Sequence, residues 1–403
     1  MVISAPSTHP VYTSEIQKLL QTVSLYLHIP FCHTRCHYCD FNTYAGILPL
    51  REPYVRALST EIELSGQLAQ LVDGAPRRSR TIFFGGGTPS LLTIEQITRL
   101  LAACRKVFAV DEQAEITLEA NPGTLSFEQL KGLRAAGINR LSLGSQSFDA
   151  ELLQSLGRIH TPQEIVQALS NARAAGYTSI NLDFMFGLPG QTMQRWKTTL
   201  DRALALHPQH FSLYSLIIEE GTLFYTWTNE GRIIPGDEDL CAEMYEYADE
   251  RLQAEGYENY EISNWALPGH QCSHNLTYWQ NLPYLGMGAG AHSFFGGRRF
   301  SNMLDPQEYI ALLKKRQRPQ AESELIDRVQ AMSETAFLAL RTAQGLHLPT
   351  FEERFAEPFT QFVGMRLSTV EEAGLLEQDH EWIRLSKRGR LLGNEVFLRL
   401  LPD

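Results

Sequence analysis

The chain has 403 residues, of which 43% are hydrophobic and 20% are charged, and its formal net charge is -11. This acidic balance argues against a general nucleic-acid binder, which needs a basic face for phosphate, and against a polybasic membrane anchor. No run of about 18 uninterrupted apolar residues occurs, so no membrane-spanning helix is predicted. The first ten residues lack the charged start and apolar core of a signal peptide. We therefore expect a cytoplasmic protein of two or three domains.

Short β-rich runs alternate with longer helical stretches from about residue 23 to residue 215. The helical stretches include Tyr54–Leu71 and Ile94–Val107, and the second has its apolar residues at three- and four-residue spacing. Gly137 and Gly176 each follow such a stretch, at the position where a glycine ends a helix. Strand–helix alternation predicts a parallel sheet, and the nearly continuous apolar strands predict burial on both faces. The predicted strands are Ser24–Pro30, Arg80–Phe84, Glu115–Ala120, Asn139–Leu143, Ser179–Phe184 and His210–Leu216.

Polar and glycine-rich residues lie at the carboxyl ends of five of these strands. Barrel enzymes assemble their active sites at this edge, from several loops. The predicted fold class is therefore α/β, with a partial (β/α)6 barrel favoured over a doubly wound sheet, although periodicity alone does not separate the two. The residues in question are Cys32–Cys39, Gly85–Pro89, Glu119–Pro122, Gly144–Gln146 and Asp183.

After residue 216 the pattern changes. Helices are predicted at Asp237–Ala254 and Asp305–Lys315, and the segment Gly256–Phe295 between them is rich in glycine, aromatic and turn residues. From residue 321 onward the sequence predicts several helices and one strand, Trp382–Leu385. We divide the chain into an N-terminal extension (1–22), a barrel with its following segment (23–295) and a smaller, mainly helical C-terminal domain (296–403).

Three of the six cysteines form a Cys32-x3-Cys36-x2-Cys39 run on the loop that leaves the first predicted strand. Thiolate ligands at this density suit an iron–sulfur cluster or zinc. Structural zinc usually takes four ligands from separated pairs, and here the fourth would be His33 or His37. Three thiolates on a 4Fe–4S cluster leave one iron open to an external ligand. We favour the iron–sulfur cluster, with zinc as the alternative.

The run Tyr26-Leu-His-Ile-Pro-Phe-Cys32-x3-Cys36-x2-Cys39 resembles the cluster loop of radical S-adenosylmethionine (SAM) proteins. More narrowly, it resembles the oxygen-independent coproporphyrinogen III oxidase-like family. The resemblance implies a 4Fe–4S cluster on these three cysteines, an open iron that chelates the amino and carboxylate groups of SAM, and a partial (β/α)6 radical-SAM barrel. It covers roughly residues 22 to 300 clearly and the C-terminal part, a HemN-like domain, more weakly.

Further residues at the predicted edge fit a SAM site. The glycines of Gly85–Pro89 let backbone amides approach a ligand closely, and by resemblance this segment holds the SAM amino end. Two acidic residues could accept hydrogen bonds from an ammonium or ribose hydroxyl, while a glutamine and an arginine could donate to a carboxylate. Two tyrosines match SAM-contacting positions of the family. Each residue alone would more often be structural, but together they predict SAM contacts at Tyr26, Tyr38, Gly86, Gly87, Thr88, Glu119, Gln146, Arg158 and Asp183.

A second motif, His274-Asn275-Leu-Thr-Tyr278-Trp279, resembles the haem-binding motif of a haem chaperone branch of this family. Neutral imidazole is an axial ligand for haem iron, and Asn275 could fix the tautomer of His274. Tyr278 and Trp279 offer flat apolar surface to a porphyrin, and Cys272 is a second possible iron donor. Without the resemblance, an aromatic loop with a hydrogen-bonded His274 is the simpler interpretation.

Two function hypotheses follow. In the leading one, the chain is a haem chaperone that binds haem, a 4Fe–4S cluster and SAM and delivers haem to an acceptor haemoprotein. A respiratory acceptor would bring the chaperone to the membrane periphery, and the resemblance implies that the cluster supports homodimerisation or gates transfer. In the competing one, it is an oxygen-independent coproporphyrinogen III oxidase, or another tetrapyrrole radical SAM enzyme, that abstracts hydrogen from a propionate side chain. The oxidases carry a fourth cysteine where this chain has Phe41, which disfavours the second hypothesis, and no residue is assigned as catalytic.

Overall fold

A computed structural model describes residues 15–401, so most of the predicted N-terminal extension, including the segment tested for a signal peptide, lies outside the described residues. Its main sheet has 12 strands. The six predicted strands are confirmed and pair in parallel in chain order. Their bounds are β1 Ser24–Ile29, β2 Arg78–Gly86, β3 Ala109–Ala120, β4 Arg140–Gln146, β5 Ile180–Phe186 and β6 His210–Ser215.

Six further strands extend this parallel core, in the order β12-β11-β10-β9-β1-β2-β3-β4-β5-β6-β8-β7. Strand β9 pairs with β1 in parallel, and the others pair antiparallel. The end strands β12 and β7 are not paired with each other, so the barrel is partial, as predicted. The added strands are β7 Glu258–Glu261, β8 Asn264–Ala266, β9 Tyr284–Met287, β10 His292–Phe295, β11 Arg298–Asn302 and β12 Gln320–Leu325.

Helices cover the outer face of the parallel strands. Thr93, Ser126 and Thr161 each begin a helix with a reciprocal capping box, which satisfies two backbone donors at each helix start. Gly137 and Gly176 have φ of 118° and 90° after their helices, so the predicted glycine stops are confirmed. The predicted helices are observed at Arg51–Asp73, Ile94–Val107, Glu238–Ala254 and Pro306–Lys314. The other helices up to residue 339 are Glu15–Leu20, Phe127–Ala136, Ala150–Ser155, Pro162–Ala174, Met193–Leu204, Leu223–Asn229, Ser273–Trp279 and Arg328–Ala339.

The two faces of the barrel strands differ in chemistry. Alternate residues such as Leu25, Leu182 and Phe211 join the hydrophobic core beneath the helices. The residues between them face the barrel interior and are mostly polar. They are linked by hydrogen bonds such as Asn181 Nδ2 to Ser142 Oγ at 2.7 Å. The strands are thus buried on both faces, as predicted, but the interior face is not the apolar surface that their sequence suggested.

The C-terminal part has its own hydrophobic core, which runs from Met332 to Leu400. The predicted strand Trp382–Leu385 is present and lies between two short strands, Leu346–His347 and Leu376–Gln378. The remaining helices of this part are Leu348–Phe355, Phe359–Val363, Ser368–Glu372, Lys387–Leu391 and Gly393–Phe397. This core begins later than residue 296, because β11 and β12 still belong to the main sheet. Within residues 15–401, no helix has the length and apolar character needed to cross a membrane.

Candidate functional site

The three clustered cysteines follow β1, at the carboxyl ends of the parallel strands. Cys32 lies in a two-residue strand, Phe31–Cys32, that pairs with Tyr44–Ala45, and the other two lie on the loop between these short strands. Cys32 Sγ lies 3.7 Å from the Thr88 hydroxyl, and Cys39 Sγ lies 3.8 Å from the Thr43 hydroxyl. Burial raises the pKa of the Cys32 and Cys39 thiols and so disfavours their thiolate forms. Binding to a metal would act in the opposite direction, because a metal binds the thiolate. Within the described chain, no three His, Cys, Asp or Glu side chains converge closely enough to hold a single metal ion.

Histidines near the cysteines have other contacts. His37 Nδ1 bonds the backbone carbonyl of Ser155 at 2.8 Å, and its ring packs edge-on against Trp227. His33 is exposed. The alternative of zinc with a histidine as fourth ligand would therefore need His37 to give up a structural bond or His33 to fold inward from solvent.

Arg158 links the cysteine loop to the next strands. Its guanidinium donates to Cys36 Sγ at 3.5 Å and to Asn121 Oδ1 at 2.6 Å. Its positive charge therefore lies beside the Cys36 sulfur. The same cation lies at a cavity wall, where it could meet a ligand carboxylate.

The glycine segment after β2 brings backbone close to the cysteine loop. Gly87 N–H donates to Ile29 O at 2.8 Å, and a Cβ at Gly87 would lie 2.7 Å from Phe31 O and 3.1 Å from Cys32 Sγ. Gly86 has φ of 111°, in the region that favours glycine. A side chain at Gly87 would push the two loops apart, and one at Gly86 would need a backbone conformation that favours glycine, so both positions require glycine.

Two interior carboxyls face the same cavity. Burial, together with nearby Asp183, raises the pKa of Glu119 to about 8, and Gly86 N–H donates to its Oε2 at 3.1 Å. Burial also raises the pKa of Asp183, opposed by hydrogen bonds from Asn181 and Ser142. Such carboxyls favour a cationic ligand, because its charge would stabilise their ionised forms.

The cavity that these groups surround, which we call the mouth cavity, has a volume of about 390 Å³. This lies in the range of small-molecule sites. Gln146 is a non-glycine residue with φ of 64° at its edge, and such strain is concentrated at functional sites. The predicted cluster and SAM residues that line it are Cys32, Cys36, Cys39, Tyr38, Gly86, Gly87, Thr88, Glu119, Gln146, Arg158 and Asp183.

Sequence reasoning missed several residues of the mouth cavity, among them Ser142, Met185 and Tyr214. Ser142 and Met185 each lie two residues from a predicted site position on the same strand face, so strand alternation could have identified them. Tyr26, by contrast, lines a neighbouring side cavity of about 350 Å³, which shares Gly86 and Glu119 with the mouth cavity.

The haem-like motif forms a seven-residue helix, Ser273–Trp279, which we call the motif helix. It closes the barrel at the opposite end, where the parallel strands begin. Glu115 accepts hydrogen bonds from the backbone N–H groups of Ser273 and His274, each at 3.0 Å, and so caps the helix. Burial raises the pKa of the neighbouring Cys272 thiol to about 12, so it stays a neutral thiol.

His274 is buried in this floor, with 1% of its surface exposed. Its Nδ1 bonds the Thr81 hydroxyl at 2.8 Å and its Nε2 bonds the Tyr278 hydroxyl at 2.9 Å. The ring stacks on Phe83 at a centroid distance of 5.0 Å. Burial lowers the pKa of His274 to about 3, so the ring is neutral, and both nitrogens already have partners.

The remaining motif residues face different surroundings. Tyr278 lines the side cavity, while Trp279 lines a cleft of about 640 Å³ between the barrel floor and the C-terminal domain, which we call the interdomain cleft. Asn281, just after the motif helix, has φ of 49° and bonds Thr335 of the C-terminal domain at 3.0 Å. Asn275 lines none of these three cavities. The structure therefore does not bring the four predicted haem contacts to one surface.

Comparison with known proteins agrees with this architecture. The Radical SAM superfamily profile matches residues 26–203, and the HemN C-terminal domain profile matches residues 326–392. "Heme chaperone HemW" from Bacillus subtilis (strain 168) is 39% identical over 381 residues, covering 94% of this chain and 99% of that protein. The chain belongs to the HemW family. HemW from Escherichia coli (strain K12) is 43% identical over 275 residues, covering 68% of this chain and 70% of that protein.

Among solved structures, coproporphyrinogen III oxidase (HemN) from Escherichia coli has a TM-score of 0.82 to this chain. The two are 25% identical, and the match covers 96% of this chain and 92% of that chain. Both the family resemblance and the predicted fold class are thereby confirmed. Membership of the radical SAM superfamily implies a 4Fe–4S cluster and SAM, and the mouth cavity has the thiols, glycines and carboxyls that suit them.

Proposed function

We propose that this chain is a haem chaperone built on a radical SAM scaffold, which binds haem and transfers it to an acceptor haemoprotein. The observation that carries the proposal is its similarity to the HemW of Bacillus subtilis over nearly the full length of both chains. The position of Phe41 supports it, because this residue stands where the oxidases have a fourth cysteine, and it is 63% exposed beside the mouth cavity.

Within this proposal, Cys32, Cys36 and Cys39 hold the 4Fe–4S cluster at the mouth cavity. When bound, the cluster and SAM supply redox chemistry at the open iron. Gly86 and Gly87 let the backbone approach the ligand closely. The remaining SAM contacts are Thr88, Tyr38, Glu119, Asp183, Gln146 and Arg158 in the mouth cavity, with Tyr26 behind Glu119 in the side cavity.

The acidic and basic groups of the mouth cavity bind different parts of SAM. Glu119 and Asp183 accept hydrogen bonds from cationic or hydroxyl groups, and Arg158 pairs with the carboxylate. Because Glu119 has a pKa of about 8, a cationic ligand binds more tightly as this carboxyl ionises.

The sequence motif alone would put the haem contact on the motif helix, at His274, Asn275, Tyr278 and Trp279. For His274 to ligate iron, the ligating nitrogen must first release its partner, Thr81 at Nδ1 or Tyr278 at Nε2. Each buried hydrogen bond that is broken without replacement costs about 1–3 kcal/mol. Ligation by His274 therefore requires the floor of the barrel to open, whereas Trp279 already borders a cleft.

The partner of such a chaperone would be an acceptor haemoprotein, and a respiratory enzyme is the class that we favour. We further propose a cytoplasmic location with peripheral contact to the membrane at the acceptor, and a homodimer supported by the cluster. The absence of a spanning helix within residues 15–401 is compatible with this arrangement.

A second candidate function is oxygen-independent coproporphyrinogen III oxidation. It is favoured by the likeness to the Escherichia coli oxidase, which extends through the C-terminal domain at a TM-score of 0.82. The side cavity, lined by Tyr26, Tyr278 and Tyr284 next to Glu119, offers space beside the mouth cavity for a substrate side chain.

One preparation can separate the two functions. The cluster is reconstituted anaerobically, and the protein is either loaded with hemin and mixed with an apo-haemoprotein, or incubated with coproporphyrinogen III, SAM and dithionite. We expect haem transfer faster than from free hemin at the same concentration, and no catalytic formation of protoporphyrinogen. Catalytic protoporphyrinogen formation would support the oxidase, and failure to bind hemin would contradict the chaperone function.

A further inference from the structure

The interdomain cleft has the size and the wall chemistry of a site for a flat amphipathic ligand. Its volume of about 640 Å³ is larger than that of the mouth cavity. The barrel floor contributes Leu276 and Trp279, and the C-terminal domain contributes Phe351 and Trp382. Ligand sites are typically concave, mostly apolar and located between domains, with a few polar groups that orient the ligand. Aromatic walls from both domains suit a planar ring system.

A histidine of this cleft, His347, differs from His274 in its hydrogen bonds. Its Nδ1 bonds the Thr350 hydroxyl at 2.6 Å, and Nε2 has no hydrogen-bond partner within residues 15–401. Its ring packs on Trp382 at a centroid distance of 4.5 Å. When Nδ1 donates to a hydroxyl, Nε2 carries the lone pair, which is the arrangement of histidines that ligate metals. His347 can therefore bind iron without losing a bond.

A cation borders the same cleft. Arg354 donates to the backbone carbonyls of Gln280 at 3.3 Å and Asn281 at 2.9 Å. Burial lowers the pKa of Arg354 to about 10, and no carboxylate of the described chain offsets this effect. Glu15 and Glu258 also line the cleft, but both are exposed at its edge. A buried arginine without a carboxylate partner suits an anionic group of a ligand.

The indole of Trp279 leaves a further buried donor unsatisfied. Its Nε1 is buried and has no hydrogen-bond partner. An unsatisfied buried donor is costly, so a ligand acceptor or an ordered water at this point would stabilise the site. Trp279 is also the last residue of the motif helix, so the cleft is continuous with the predicted haem motif.

We propose that haem binds in the interdomain cleft, with His347 as an axial ligand of the iron, Trp279 and Trp382 against the porphyrin, and Arg354 paired with a propionate. This inference rests on the proposed function, because it names the place where the chaperone holds its cargo. His274 then acts as a positioning residue, which keeps the motif helix and Trp279 in place through Thr81 and Tyr278.

Hemin titration tests the assignment. The full chain, His347→Ala and the control His380→Ala, which changes an exposed histidine of the same domain, are each titrated with hemin while the Soret band is recorded. We expect His347→Ala to weaken hemin binding by about tenfold or more and to shift the Soret band. Added imidazole should restore the wild-type band in His347→Ala, because it can fill the space of the missing ring. His380→Ala should match the wild type.

A second variant tests the cleft without removing any polar group. Ala343→Trp places a bulky side chain at the cleft wall, and we expect it to weaken hemin binding while thermal unfolding of the ligand-free protein shows that it folds. Unchanged affinity and Soret band in both His347→Ala and Ala343→Trp would overturn the proposal while the wild type still binds hemin. If the wild type itself fails to bind hemin, the proposed function fails instead.

Discussion

The two ends of the barrel are built from different kinds of contact. At the mouth, glycine backbone, thiols and carboxyls with raised pKa values surround about 390 Å³ of open space. At the floor, the motif helix fills the barrel, and both nitrogens of His274 have partners. Buried carboxyls without a cationic partner, as at the mouth, indicate a site for a ligand. Buried polar groups whose hydrogen bonds are all made, as at His274, indicate a structural role. The polar interior of the barrel thus provides a ligand site at the mouth and stabilises the fold at the floor.

The largest expected effect is loss of the cluster at the mouth. We expect Cys36→Ala to lose the iron and the broad absorbance of an iron–sulfur cluster almost completely after anaerobic reconstitution, because two thiolates hold a cubane poorly. Iron analysis measures the effect. Cys241→Ala, which changes a cysteine that lies beside Gly187, is the matched control and should keep its iron. Equal iron contents in the two variants would remove Cys36 as a ligand.

The next effect concerns the pH dependence of stability at the mouth. The pKa of Glu119 is about 8 in the folded protein, above its ordinary value of 4.5, so the folded state holds this proton more tightly than the unfolded state. Its contribution to stability is therefore full below about pH 4.5 and falls as the pH rises towards 8. Between pH 5 and pH 8, we expect the wild type to lose about 2 kcal/mol relative to Glu119→Gln, since the carboxyl partly faces an open cavity.

Denaturant unfolding of the ligand-free protein at several pH values measures this difference. Comparison with Glu119→Gln cancels the contributions of other buried carboxyls, such as Glu61 and Glu261. Parallel pH profiles for the wild type and the variant would show that Glu119 has no raised pKa.

At the floor, we expect Glu115→Gln to lower the free energy of unfolding by about 1–2 kcal/mol, because the carboxylate that caps the motif helix loses its charge. Chemical denaturation measures the loss, and iron binding at the mouth should stay unchanged. The control is Glu112→Gln, an exposed residue of the same strand. If both variants unfold like the wild type, the cap contributes nothing to stability.

The smallest effect is expected for Phe41→Cys. Because Phe41 is 63% exposed, we expect its replacement to change the free energy of unfolding by less than about 0.5 kcal/mol. The iron content should also stay unchanged, since three thiolates already hold the cluster. Protoporphyrinogen formation from coproporphyrinogen III is the assay. A gain of this activity would show that a single position separates this chain from the oxidases.

The parallel strands could be predicted because each is a compact apolar run bounded by turn residues. Strands β7 to β12 were missed, because each has only three to six residues and depends on partners far along the chain. The polar interior was missed for a different reason. In the predicted strand Asn139–Leu143, alternation already places Arg140 and Ser142 on one face, but the sequence does not show that this face points into the barrel.

The mouth cavity was largely predictable, because parallel strands bring their carboxyl ends together. The motif helix was not, because the group that caps it, Glu115, precedes it by more than a hundred residues. The burial of His274 likewise depends on Thr81 and Phe83 of a distant strand. The sequence around His274 does not show these distant partners. The same motif was therefore consistent with a haem ligand and with a structural histidine.

The connection at Asn281 has a mechanical consequence. This residue ends the segment after the motif helix, and it is held on two sides, through its side chain by Thr335 and through its carbonyl by Arg354. Both partners belong to the C-terminal domain. A rotation of that domain would therefore move the end of the motif helix directly, through the two hydrogen bonds at Asn281.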